Sequence, residues 1–400
     1  MYKQIYLKRG KEDSLLRFHP WIFSGAISRI DEGLEEGETV RVMTHDGRFI
    51  AVGHFQIGSI AVRILSFRDV EIDDTFWESR LRTAFQVRRA IGVIREWKED
   101  IHFSPNTTYR LVHGEGDNLP GLIIDVYGRT AVMQAHSVGM HVCRFVIAKA
   151  LVKVMGDRLD SIYYKSETTL PFKAELGQEN GFIHGGTDDD IAVENGLKFH
   201  IDWLKGQKTG FFIDQRENRS LLERYAKGRS VLNMFCYTGG FSVYAMRGEA
   251  ELVHSVDSSA KAIELTDRNI ELNFPGDTRH EAICEDAFKY LDEHEGKYDL
   301  IVLDPPAFAK HRKALKNGLR GYTRLNVKGF EKIKPGGILF TFSCSQVVTK
   351  DNFRQAVFTA AAQAGRKVRI LHQLHQPADH PINIYHPEGE YLKGLVLYVE

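Results

Sequence analysis

VLNMFCYTGGFSVYAMRG (residues 231–248) holds an apolar run, a glycine pair and a helix-patterned stretch in that order. It reads as a strand over 231–237 that turns at Thr238-Gly239-Gly240 into a helix. Glycine permits the tight turn and lets backbone approach a ligand closely. The runs LVHSVD (252–257), EAICED (281–286), YDLIVLD (298–304) and GGILFTFS (336–343) follow, separated by helix-patterned segments. Such alternation predicts a mostly parallel sheet with helices on both faces. VRILHQL (368–374) and YLKGLVLYVE (391–400) have no helical pattern between them and predict an antiparallel pair at the sheet edge. The expected fold class is α/β, with a doubly wound, Rossmann-like domain over residues 191–400.

Towards the N-terminus the pattern changes. TVRVM (39–43) and FIAVGHF (49–55) flank His45-Asp46-Gly47, a hairpin signal, and SIAVRILSF (59–67) follows. Short strands without helical periodicity predict a small β-barrel over residues 1–72. Residues 73–190 mix a helix from Phe76 to about Ile94, strand-like pieces in LVHGEGDNLPGLIIDVYG (111–128), an amphipathic helix over 137–156 and a strand in SIYYKSE (161–167). They read as an α+β middle domain, closed by the Gly- and Asp-rich stretch from Glu179 to Asp190.

Four hundred residues exceed what one hydrophobic core organises, and 43% apolar with 26% charged residues is the composition of a globular protein. No apolar run approaches the roughly 18 residues of a membrane helix, and MYKQIYLKRG has charge where a signal peptide is greasy. Four cysteines without a CxxC pair disfavour a disulfide framework or a structural zinc site, so no metal is expected, and they fit a cytoplasmic location. Net charge is zero, with 53 basic and 53 acidic residues, so nucleic-acid binding must be sought in local clusters. Between Pro306 and Phe330 lie Lys310, Arg312, Lys313, Lys316, Arg320, Arg324 and Lys328 with no acidic residue. Arg80, Arg82, Arg88 and Arg89 form a weaker cluster. A charge run is often only a solvated helix face; the first run begins beside a candidate active-site motif, which favours phosphate contact by Lys310, Arg312 and Lys313.

Ligands of open α/β sheets bind at the carboxyl ends of strands. Asp257 ends the strand after the glycine turn, placed to accept hydrogen bonds from ribose hydroxyls, although a helix N-cap is the plainer role for such an acid. Asp286 ends the next strand, where it can take an adenine amino group. The dinucleotide fingerprint G-x-G-x-x-G and the phosphate loop G-x-x-x-x-G-K-[ST] are both absent. Three features in register point to S-adenosylmethionine. The candidate cofactor contacts are Asn233, Phe235, Tyr237, Gly239, Asp257, Asp286 and Asp304, with Phe211, Asp214 and Gln215 of GQKTGFFIDQRENRSLL (206–222) closing over the methionine end.

Asp304-Pro305-Pro306-Ala307-Phe308 stiffens the end of the fourth strand, and Phe308 is placed to stack on a base. Cys344, in Phe342-Ser343-Cys344-Ser345, ends the fifth. Carbon 5 of cytosine is too weak a nucleophile to take a methyl group unless a thiolate first adds to carbon 6. That chemistry needs a cysteine at the cofactor edge and a group bonded to N3 of the base, roles open to Cys344 and a protonated Asp304. Cys143, Cys236 and Cys284 lie within apolar segments and read as small buried hydrophobes. A target base inside a duplex would have to be flipped out.

GQKTGFFIDQRENR, LNMFCYTGGFSVYA, VDSS, LDPPAFAK and FSCS, with YRLVHGEGDNLPGLIIDVYG, HPWIFSGAI, DHP and EGEYLKG, make the sequence resemble the RlmI-like family of 23S ribosomal RNA cytosine-5 methyltransferases over almost its whole length. The resemblance implies a PUA-type RNA-binding barrel, a small α+β domain and a class I methyltransferase domain, with the nucleophile at Cys344 and the acidic motif at Asp304. Another RNA cytosine-5 lineage has a second cysteine after DPP; this sequence has none, which leaves the group that removes the carbon 5 proton unassigned. Ribosomal RNA is the implied partner, and a homodimer is compatible with the family. Related guanine-modifying enzymes share TGFF-DQR and DPP-F, so guanine N-methylation through Asp304 and Phe308, with Cys344 a bystander, is the alternative. A small-molecule methyltransferase leaves the barrel and the basic run unexplained, and an assembly factor without catalysis leaves Cys344 so.

Overall fold

The computed structural model describes residues 2–95, 106–171, 176, 179–187, 189–294 and 297–400. The chain forms two compact units: Met1–Asn195 with Ile201–Ile213 and Ala378–Gly389, and Gly196–His200 with Asp214–Pro377 and Glu390–Glu400.

In the first unit, β1 (Lys3–Leu7), β2 (Trp21–Phe23), β3 (Ile27–Ile30), β4 (Thr39–Met43), β5 (Phe49–Phe55) and β6 (Ile60–Ser66) make one mixed sheet in the order β2-β6-β5-β4-β1-β3, with the short α1 (Asp13–Leu16) between β1 and β2. Alternation sets its buried face: Val40 and Val42 of β4 join Ile5, Leu7, Ile50, Val62 and Ile64. The turn at His45-Asp46-Gly47 closes β4 onto β5, with Gly47 at φ 84°.

α2 (Asp74–Ala90) starts where the Asp73 side chain accepts from Phe76 N at 2.8 Å. It packs with α4 (Arg144–Met155) against a sheet ordered β11-β10-β9-β8-β7, built from β7 (Thr108–His113), β8 (Leu122–Tyr127), β9 (Thr130–Ala135), β10 (Ser161–Tyr164) and β11 (Gly181–His184). The single helix expected over 137–156 is interrupted: α3 (Val138–Val142) ends at Cys143, whose ψ of 1° tightens the chain before α4. Gly139 of α3 lies so close to His54 that a Cβ would meet the ring at 2.3 Å. Arg88, expected in a surface cluster, is instead fully buried and paired with Asp117, and Arg80 donates to the Leu65 carbonyl at 2.7 Å. Two short strands follow, β12 (Ile191–Glu194) and β13 (Leu197–His200).

In the second unit, β14 (Ser230–Met234), β15 (Leu252–Asp257), β16 (His280–Cys284), β17 (Tyr298–Leu303), β18 (Ile333–Ser343), β19 (Val368–Leu374) and β20 (Lys393–Val399) form a sheet ordered β16-β15-β14-β17-β18-β20-β19. The first five run parallel, and β20 is antiparallel to both β18 and β19, as the unbroken terminal runs predict. Leu300–Leu303 and Ile338–Ser343 are buried without alternation, the mark of strands covered on both faces. The covering helices are α5 (Arg216–Ala226), α6 (Gly240–Arg247), α7 (Ala260–Asn273), α8 (Ala287–Glu293), α9 (Leu315–Lys332) and α10 (Lys350–Gln363). β14 lies between β15 and β17, where the strand order reverses, so the carboxyl ends of these strands frame a crevice.

Candidate active site

The chain leaves strand geometry at the end of β14. Phe235, Tyr237 and Gly239 have φ of 59°, 48° and 75°. The strand expected through Tyr237 therefore stops at Met234, because a left-handed residue cannot continue a pleat. Such strain costs about 1 kcal/mol or more per non-glycine residue and gathers at ligand sites. At Gly239, which precedes α6, a Cβ would lie 2.6 Å from Thr266 Cγ2, so both φ and space demand glycine.

Asp257 ties this turn down. Its Oδ2 accepts from Tyr237 N at 3.0 Å and its Oδ1 from Ser259 N at 2.9 Å. A carboxylate has about four acceptor positions, so capacity remains for hydroxyl donors. Ser259, not Asp257, caps α7. Asp286 is exposed and caps α8, its Oδ1 accepting from Phe288 N and Lys289 N at 3.0 Å. On β14, Asn233 Nδ2 donates to Ser242 Oγ at 2.9 Å, while its Oδ1 is buried with no hydrogen-bond partner. Asp214 repeats that pattern: Tyr391 donates to Oδ2 at 2.7 Å and Oδ1 is buried without a partner. Two orphaned acceptors, one of them on the strand that leads into the strained glycine turn, fit a cofactor that carries an ammonium group, hydroxyls and a sulfonium charge. Phe211 belongs to the first unit, where it is buried and its carbonyl accepts from Tyr127 at 3.4 Å.

Asp304 follows β17, and Gln215 Nε2 donates to its Oδ2 at 3.0 Å. Burial, reinforced by the like charge of Asp214, pushes its carboxyl up to about 7. Cys344 follows β18, the strand beside β17, and its thiol donates to the Pro305 carbonyl at 3.9 Å. Cys344 as a residue is half-buried. Burial first, then Asp304 and Asp214, push it up to about 12. The loop carrying it is held by Ser345, whose Oγ bonds Tyr322 Oη at 2.8 Å and Ala309 N at 3.2 Å. Of the other cysteines only Cys236 is buried; Cys284 is exposed and Cys143 intermediate, so an apolar sequence neighbourhood misplaces the sulfur when a strand lies at a sheet edge, as β16 does.

Phe308 packs against Tyr322 with ring centroids 4.8 Å apart and remains partly accessible. Lys310, Arg312 and Lys313 are exposed. Lys328, from the same basic run, is neutralised by Asp292 and Glu331. Tyr322, Tyr391 and Lys393 are not among the residues expected from the sequence, because a tyrosine or lysine beside apolar residues looks like an ordinary core or surface position. The only signal for the last two was their place in EGEYLKG. Among the described residues, His19, His386 and Glu388 bring three potential metal ligands within 4.8 Å, a group in the first unit that the sequence reading did not foresee.

Comparison with known proteins agrees with this geometry. A family model described as S-adenosylmethionine-dependent methyltransferase matches residues 185–387, and one described as a PUA-like domain matches residues 5–67. Among solved structures, one described as a methyltransferase complexed with SAH aligns over 99% of both chains at 23% identity with a TM-score of 0.83, which shows the shared fold. The protein named ribosomal RNA large subunit methyltransferase I is 42% identical in Tolumonas auensis, covering 99% of both chains, and 40% identical in Aeromonas hydrophila with the same coverage. With both models matched in order and that identity spanning its length, the chain belongs to the family of S-adenosylmethionine-dependent methyltransferases whose curated members bear that name.

Proposed function

We propose that this chain methylates carbon 5 of a cytosine in 23S ribosomal RNA, with Cys344 as nucleophile and Asp304 as the acid at N3. The relatives' name supplies the substrate class. The observation that carries the chemistry is the thiol of the half-buried Cys344 against the Pro305 carbonyl, beside a carboxyl that burial keeps half protonated near neutrality.

Cys344 thiolate adds to carbon 6 as Asp304 gives its proton to N3, and the displaced π electrons make carbon 5 nucleophilic. Bound S-adenosylmethionine supplies the electrophilic methyl group. Loss of the carbon 5 proton to a base then restores the ring double bond, expels the Cys344 thiolate and lets N3 return its proton to Asp304. Asp304 must be protonated and Cys344 ionised at the start, so the rate rises with pH until Asp304 loses its proton near 7 and then levels. Asn233, Phe235, Tyr237, Gly239, Asp257 and Asp286 on the strand ends hold the donor, with Asp214 and Gln215 at its methionine end. Lys310, Arg312, Lys313 and Phe308 face RNA. Residues 1–72 act as the RNA-binding module, 73–190 as a middle domain and 191–400 as the methyltransferase domain; association of two copies belongs to the same proposal and is read by sedimentation. Mass spectrometry of ribosomal RNA from cells lacking the protein tests the product. A 5-methylcytosine that disappears, and returns with wild-type protein but not Cys344→Ala, is the expected result; a missing methylguanine would overturn it.

A further inference from the structure

Lys393 opens β20 and is 5% exposed. A buried ammonium ordinarily has an anion beside it. Here Nζ donates to a neutral acceptor, the Ser345 carbonyl, at 2.7 Å. Glu390, the carboxylate that acts on it, is ion-paired with Lys350. Burial accordingly draws the lysine down to about 8.

The strand register shows what this cation serves. Lys393 stands opposite Ser343 in the β18–β20 ladder, and its ammonium reaches the carbonyl of Ser345. Cys344 is the residue between those two anchor points. Burial, Asp304 and Asp214 all oppose a negative sulfur there; of the charged side chains acting on the thiol, Lys393 favours the thiolate. A cysteine that must attack as thiolate near neutral pH needs such a partner.

We propose that Lys393 is a positioning residue for the methyl transfer: its ammonium, anchored on the Ser345 carbonyl, is the counter-cation of the Cys344 thiolate. The inference rests on the reading of Cys344 as nucleophile. The thiol proton passes to the lysine in its amine form or to solvent, leaving a thiolate–ammonium pair. When the adduct at carbon 6 breaks, the sulfur takes back its electron pair and meets the same charge.

Iodoacetamide consumes thiolate and not thiol, so the rate of Cys344 alkylation against pH, read by peptide mass spectrometry on the full chain, reports thiol ionisation without requiring methyl transfer. Lys393→Gln keeps a donor for the Ser345 carbonyl and removes the charge. At pH 7, where Lys393 still carries its charge, Cys344 alkylation in this variant should slow by at least about tenfold, and its methylation rate should fall in proportion. Lys393→Arg, which keeps the charge, should restore most of both. Retained binding of S-adenosylmethionine shows that each variant is folded, and Lys393→Met is the substitute if the glutamine variant is not. An unchanged alkylation rate at pH 7 in the neutral variant, or the same loss in the arginine variant, overturns the inference. The nucleophile reading fails separately: Cys344→Ala that still methylates removes it whatever the alkylation profile shows.

Discussion

Arg88 in the first unit and Asp304 in the second are both charged side chains drawn away from solvent, and their surroundings differ in kind. Arg88 is fully buried and answered on all sides: it pairs with Asp117, Nη2 meeting Oδ2 at 2.8 Å, and donates to the carbonyls of Arg110 and Asp379 at 2.7 Å. Asp304 accepts from Gln215, sits near the like-charged Asp214 and lies beside a thiol that its own charge discourages from ionising. Completed coordination holds segments far apart in sequence in one arrangement. Incomplete coordination leaves protonation states poised near neutrality, which proton transfer needs. The first region is closed to further partners, and the second leaves a proton free to move, as the proposed reaction requires.

Breaking each side should give different readouts. Cys344→Ala should lower methylation by at least about 10³-fold while S-adenosylmethionine binding, followed by calorimetry, is retained. A loss of less than about tenfold would place the chemistry elsewhere. Arg88→Met should leave Asp117 buried without its partner and cost about 3–5 kcal/mol in denaturant unfolding; a cost below about 1 kcal/mol would mean that the pair is incidental.

Asp304→Asn should do the opposite to stability. The folded-state pKa of Asp304 is raised, so the stability of its protonated form is full below the unfolded value of 3.8 and is lost as pH rises through about 7. Asparagine escapes that loss. It should stabilise the chain by on the order of 2 kcal/mol above pH 7, after allowing for partial solvent contact, and by nothing near pH 4. The same variant, with no acid to give N3, should methylate far more slowly at every pH. Equal stability at both pH values would show the carboxyl to be ordinary. The smallest effect concerns Lys310, Arg312 and Lys313: neutralising all three should flatten the slope of log affinity against log salt by roughly 2, since each phosphate contact contributes about 0.7–0.9. An unaltered slope would make them merely solvated.

Much of the parallel sheet was legible because VLNMFCY, YDLIVLD and GGILFTFS are apolar runs too short for helices and bounded by turn residues. The antiparallel ending was legible for the same reason. The ends of those runs were not. Phe235 and Tyr237 look like strand residues, and only the left-handed backbone shows that the loop takes them. Arg88 sits in a run of arginines that reads as surface, and nothing local reveals Asp117 and Asp379, 29 and 291 residues away in sequence. Lys393 is hidden for the same reason: its place against the Cys344 loop comes from strand register with Ser343, which depends on β20 entering the sheet beside β18. The placement of Cys344 and Asp304 after neighbouring strands was legible because each follows an apolar run and breaks its composition.

The central claim is a covalent bond between Cys344 and carbon 6 of a cytosine. RNA in which the target cytosine carries fluorine at carbon 5 cannot lose a proton there, so an adduct once methylated cannot be released. Incubated with S-adenosylmethionine and run on a denaturing gel, wild-type protein should carry the RNA with it, and mass spectrometry should place the link on Cys344. Methylation of ordinary RNA by a protein that never forms this complex, or a complex that persists in Cys344→Ala, would contradict the account.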